Sequence, residues 1–161
     1  MSIKTFIQIT LLTSIAFVND AIAQSTTDTF ELTVLIKKLK TTETPIKIEL
    51  LQLLNNENNN WELTTLVQSK LVYFSDEKQT IVFNELKAGN YAVRAFQDKN
   101  LNDQLDKSAL LIPREPVAFS KNPSLFQGEP TPDKAAFLIE ADTLISLTFK
   151  HPKKKKLKKH R

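Results

Sequence analysis

The sequence predicts an all-β fold, an antiparallel β-sandwich with a long proline-rich loop at one end. Three observations carry this expectation. Strand-sized runs with apolar residues at every second position recur between Phe30 and Phe149. Residues with turn chemistry separate those runs at short intervals. Between positions 108 and 133, Pro113, Pro116, Pro123, Pro130 and Pro132 crowd together with Gly128. That density excludes a central strand or a long helix there.

Residues 1–23 carry the pattern of a secretory signal peptide. Lys4 supplies the positive start, residues 6–18 are mostly apolar, and Ala21-Ile22-Ala23 is a small-x-small cleavage step. The mature chain then begins at Gln24, and the expected location is secreted or periplasmic. The apolar run is too short to span a bilayer, and Asn19 and Asp20 close it. With no cysteine in the chain, there is no lipobox thiol and no disulfide. The fold must rest on its core or on a bound ion. A single β-sandwich domain is expected over residues 24–149, and a disordered basic tail over residues 150–161.

The strands follow in order. Phe30, Leu32 and Val34 alternate with Glu31 and Thr33. After Pro45, Ile46-Lys47-Ile48-Glu49-Leu50 alternates again. Residues 51–54 fit either a buried strand or a helical turn. The Asn-rich stretch 55–60 is a hairpin tip, and Trp61-Glu62-Leu63-Thr64 resumes the pattern. Short apolar runs at 71–74 and 80–83 precede Gly89, where a turn launches a strand with Tyr91, Val93 and Ala95 on one face. The proline-rich segment lies across one end, anchored by Val117, Phe119, Leu125 and Phe126, with Phe119 in the core. The last strands are 135–139 and 144–149, joined by a turn at Ala141-Asp142-Thr143.

Charge and missing side chains narrow the function. The chain is formally +4, and its last twelve residues alone carry +8, so the body is net −4. This is an acidic domain with a basic tail. The tail suits weak, salt-sensitive contact with polyanions, and without interleaved aromatics it does not suit specific nucleic-acid binding. Both histidines, His151 and His160, lie in the tail. The body therefore has no Ser-His-Asp or Cys-His machinery, zinc is nearly excluded, and two glycines make no phosphate loop. A carboxylate pair remains chemically open, as in glycosidases. An enzyme is not expected.

The polar loop after the Gly89 strand is the candidate site. Asp98, Asn100, Asn102, Gln104 through its carbonyl, and Asp106 fall at positions one, three, five, seven and nine of an EF-type calcium loop. Oxygen donors at that spacing suit a hard cation such as Ca²⁺. Two departures weaken the match: Asp103 stands where a bend glycine is usual, and Ala109 where a bidentate Glu is usual. Affinity would then fall to about 10⁻⁴–10⁻³ M. The competing reading is a loop whose Asp and Asn side chains cap their own backbone in Asx-turns. Glu115, in the proline-rich segment, is expected beside this loop.

Leu86-Lys87-Ala88-Gly89-Asn90-Tyr91-Ala92-Val93, followed by the residues from Gln97 to Asp106, resembles the secreted bacterial family labelled domain of unknown function 2141. Pro113-Arg114-Glu115, Ala118-Phe119-Ser120-Lys121-Asn122 and the Pro130 to Phe137 step continue the likeness, which covers the chain from Phe30 to Phe149. Gln97 stands in place of that family's histidine, and Asp103 and Ala118 in place of glycines. The resemblance implies an exported immunoglobulin-like or prealbumin-like sandwich of unknown biochemical activity. Together these readings give a non-catalytic module, stabilised by calcium, with a binding or structural role toward an envelope protein or glycan. The alternative is a carboxylate-dependent hydrolase acting on envelope glycans.

Overall fold

The computed structural model describes residues 28–54, 59–74, 79–110 and 112–152. The expected signal peptide, the tip of the Asn-rich hairpin and the tail from residue 153 lie outside the described residues. The described strands are β1 (Phe30–Lys37), β2 (Ile46–Gln52), β3 (Thr65–Val72), β4 (Gln79–Leu86), β5 (Gly89–Gln97), β6 (Val117–Phe119), β7 (Phe137–Ile139) and β8 (Thr143–Thr148). They form a three-stranded sheet in the order β4-β1-β8 and a five-stranded sheet in the order β3-β2-β5-β6, with β7 also pairing β5. The fold is therefore all-β, with two sheets. Among the described residues no helix is long and apolar enough to cross a membrane.

Apolar residues at every second position explain the two layers. Leu32, Val34 and Ile36 of β1 meet Ile48, Leu50, Val93 and Ala95 of the other sheet in one buried cluster, joined by Ile81, Phe83 and Leu147. Each of these side chains except Ala95 contributes about 1.5–3 kcal/mol when removed from water. In β5 Tyr91, Val93 and Ala95 share the inner face as expected, and the other face is buried too: Ala92 and Phe96 are buried as fully as Val93 and Ala95. They belong to a second cluster on the outer face of the five-stranded sheet, with Leu53, Val117, Phe119 and Ala135.

The proline-rich segment covers that outer face, which corrects the expectation that all of it lies across one end. Only its first part, up to Pro116, reaches the end, where Pro116 O accepts from the Gln97 amide. The rest crosses the sheet, placing Leu125 against the second cluster, and the chain just beyond it adds Ala135 to that cluster and packs Ala136 on it. Phe119 is core, as expected, whereas Phe126 is 94 % exposed and anchors nothing. Three further differences have local causes. Trp61–Leu63 is a single 3-10 turn rather than strand, capped by Asn60, whose side chain accepts from the Glu62 amide at 3.1 Å. Pro132–Ala135 is a short helix, α1, opened by its proline, so the late strand begins only at Phe137. The β1–β8 pair is parallel, Leu32 opposite Thr143 through Lys37 opposite Thr148, and the expected all-antiparallel pairing fails there. The two strands are distant in sequence, so no hairpin dictates their relative direction.

The register also gathers several strand ends. Gln97 ends β5 opposite Ile46, the start of β2. The Asp98 amide donates to Pro45 O, the Gln97 amide to Pro116 O, and Lys150 bonds Val117 through both backbone groups. The loop after β5, the loop before β2, the approach to β6 and the exit from β8 therefore share one end of the molecule.

Candidate functional site

Strand β5 delivers the chain to this end. Gly89 begins it without a left-handed backbone; a Cβ there would come within 3.1 Å of Gln52 Nε2, the end of a flexible side chain. Tyr91 follows, buried, its hydroxyl donating to Lys87 O at 2.8 Å. Burial raises the Tyr91 pKa above its ordinary value. At the far end Gln97 is buried, and its Nε2 donates to Thr41 O at 2.8 Å.

Asp98 is 2 % exposed and organises the loop that follows. Its two carboxylate oxygens accept from the amides of Asn102 (3.1 Å) and Asp103 (2.7 Å). The backbone between them turns through left-handed conformations at Leu101 (φ 57°) and Asp103 (φ 61°). Asp103 thus keeps, without a glycine, the bend that the sixth position of such a loop requires; aspartate tolerates this region better than most residues. An ion pair from Lys47 Nζ, 2.6 Å away, steadies it.

Glu115 is the counterpart of Asp98 on the neighbouring segment and is 4 % exposed. It accepts from the amides of Lys99 (2.8 Å) and Asp106 (3.2 Å), tying the loop to the segment before β6. Burial raises the Glu115 pKa, the two amides lower it, and the negative charges of Asp106 and Asp98 add to the rise. The Arg114 amide closes the tie by donating to Asp106 O at 2.8 Å.

The predicted site residues come together unevenly. Asn100 Nδ2 donates to Asp106 Oδ2 at 2.9 Å, and Asn102 Nδ2 to Asp106 Oδ1 at 3.2 Å. Asn102 Oδ1 accepts from the Gln104 amide at 3.0 Å. Asp98, Asn100, Asn102 and Asp106 are thus linked in one bonded cluster, with Gln104 at its exposed side. The self-capping expected of an Asx-rich loop is present, and the same side chains are the oxygen carriers a cation would use. Among the described residues no set of three or more His, Cys, Asp or Glu converges as a metal cluster.

A second polar group lies on the outer face of the five-stranded sheet. Arg94 donates to Glu49 Oε2 at 2.8 Å and reaches Glu129 Oε1 at 3.4 Å; Lys107 pairs with the other oxygen of Glu129. The Arg94 guanidinium lies 5.2 Å from the Trp61 ring centroid, and the Trp61 indole donates to Pro130 O at 2.8 Å. Sequence reasoning missed this group. Its signal was a pair of opposite charges on two apolar strands, Glu49 in β2 and Arg94 in β5, which stand opposite each other across the sheet.

Fold and site define a small two-sheet β-protein with a self-bonded, carboxylate-rich loop at one end. The chain belongs to the family described as an uncharacterized protein conserved in bacteria (DUF2141), which it matches over residues 34–146. No curated protein and no solved structure matches it.

Proposed function

We propose that this chain is an exported, non-catalytic module of the cell envelope, with a binding or structural role, whose rim loop is stabilised by Ca²⁺. The observation that carries the calcium reading is the convergence of Asn100 and Asn102 on the Asp106 carboxylate beside the fixed Asp98. A cation at that centre would be held by Asp98, Asn100, Asn102, the Gln104 carbonyl and Asp106, with the two Asn amides presenting oxygen instead of nitrogen. It would supply the charge that Asp98, Asp106 and Glu115 lack. Export rests on the pattern of residues 1–23.

An immunoglobulin-like sandwich is the finer fold we assign. Supporting it are strand connections that pass repeatedly between the sheets and the Tyr91 hydroxyl bonded four residues back at the β4–β5 corner. The hydrolase alternative draws less support, because Asp98 and Glu115 each direct both oxygens at backbone amides rather than at a substrate space.

Thermal melting tests the calcium reading. Ten millimolar Ca²⁺, at about ten to a hundred times the expected dissociation constant, raises Tm by about 4–10 °C over EDTA. The gain disappears in Asp106→Asn. A Tm indifferent to Ca²⁺ and EDTA retires the ion and leaves a self-capped loop.

A further inference from the structure

A cleft of about 300 Å³ lies at the start of β5, the opposite end of that strand from the Asp98 loop. Leu53, Ala136, Phe137 and Leu138 give it apolar walls, and Lys121 and Asp133 bring one charge of each sign. The fold itself ties these walls together. The Leu53 amide donates to Asn90 O at 2.9 Å, and β7 pairs with β5 so that Leu138 stands opposite Asn90. Ser120 is buried; its hydroxyl accepts from the Val93 amide at 2.9 Å and donates to Ala135 O at 2.6 Å. The stretch that carries Lys121 is thereby held against α1, which carries Asp133. A pre-formed concavity of this size takes a small molecule, since ligand pockets run from about 300 to 1,000 Å³.

Both charges face solvent, and no ion pair holds Lys121 or Asp133 among the described residues. They line one cleft without meeting each other, so each is open to a ligand. The position of Lys121 is also fixed. Lys121 (φ 59°) and Asn122 (φ 51°) are the only consecutive left-handed residues among those described. Asparagine tolerates that region, and the Asn122 side chain locks the turn onto β8: its Nδ2 donates to Ser146 O at 2.9 Å, and its Oδ1 accepts from the Thr148 amide at 2.7 Å.

We infer that this cleft binds a small zwitterion with an apolar body, a free α-amino acid or a short peptide, its carboxylate on Lys121, its ammonium on Asp133 and its apolar part on Leu53, Ala136 and Phe137. The ligand class follows from the lining. A simple anion or cation answers one charge, and an uncharged apolar molecule answers neither; a zwitterion with an apolar side chain meets both charges and the walls. The inference is independent of the calcium reading, and its test is run in EDTA so that either can fail alone.

The test is a nuclear magnetic resonance titration of the full chain with L-leucine, leucyl-leucine, leucinamide and N-acetyl-leucine, each taken to about 10 mM. Leucine or leucyl-leucine shifts the amide signals of Leu53, Ala136 and Phe137, and the tighter of the two names the source. Leucinamide, which lacks the carboxylate, and N-acetyl-leucine, which lacks the ammonium, bind more weakly by about threefold or more. Two variants assign the charges. Lys121→Gly keeps the fold, because glycine takes a φ of 59° without strain, and it weakens leucine while leaving leucinamide unchanged. Asp133→Asn weakens leucine while leaving N-acetyl-leucine unchanged. No shift at those three amides with either zwitterion, both derivatives binding as tightly as leucine, or leucine affinity unmoved in both variants overturns the inference.

Discussion

At the scale of single residues, Asp103 shows how the loop dispenses with a glycine. Its φ of 61° costs most L residues about 1–2 kcal/mol, and the Asp98 carboxylate and the Lys47 ammonium offset that cost. Asp103→Ala is therefore expected to unfold more easily than Asp103→Gly by about 1 kcal/mol, because only glycine recovers the lost backbone freedom. Urea titration of the two variants reads the order; equal midpoints contradict it. Tyr91 gives a pH-dependent counterpart. Its folded pKa is raised above the ordinary 10.0, so the proton is held more tightly in the folded chain. The resulting stability is full below pH 10.0 and is lost as pH rises through the folded pKa. Tyr91→Phe is expected to cost about 1 kcal/mol at neutral pH, from the lost bond to Lys87 O, and to flatten the alkaline decline.

At the scale of elements, legibility followed burial. In β1 and β2 one face is core and the other is not, so alternation revealed them. In β3 the first three residues, Thr65, Leu66 and Val67, are all exposed, and the pattern is faint. That strand lies at the sheet edge, where only β2 constrains it. Its side chains do other work: Gln68 and Lys70 donate to the Asn84 and Val82 carbonyls of β4, blunting the neighbouring edge. The Trp61 turn and Ala135 at the end of α1 were read as strand because their apolar residues pack against the outer face of the sheet. Nothing in the sequence shows that this face is covered. The Asp98 loop was legible because its donors are local, and its junction with Glu115 was anticipated, whereas the Arg94 group is assembled from five separate segments. Arg94→Met is expected to cost about 2–4 kcal/mol, since it strands the half-buried Glu49 and leaves Glu129 with Lys107 alone. Restoring stability by adding Glu49→Gln and Glu129→Gln is the check; an unchanged denaturation midpoint in the single variant contradicts the network's role.

At the scale of the molecule, the chain gathers its carboxylate-rich loop at one end and its charged Arg94 group on the outer face of the five-stranded sheet. The two sheets enclose one core, the proline-rich segment closes a second, and neither contains histidine or cysteine. What varies toward solvent is the end where β5 and β8 finish and β2 begins. The account's central claim is that the four linked residues at this end are an ion site in waiting rather than a finished network. A crystal structure grown in millimolar CaCl₂ tests that most directly. The account predicts an ion about 2.3–2.6 Å from oxygens of Asp98, Asn100, Asn102 and Asp106 and from the Gln104 carbonyl, both Asn amides having turned. Asn100 and Asn102 still donating nitrogen to Asp106, with no ion between them, would contradict it.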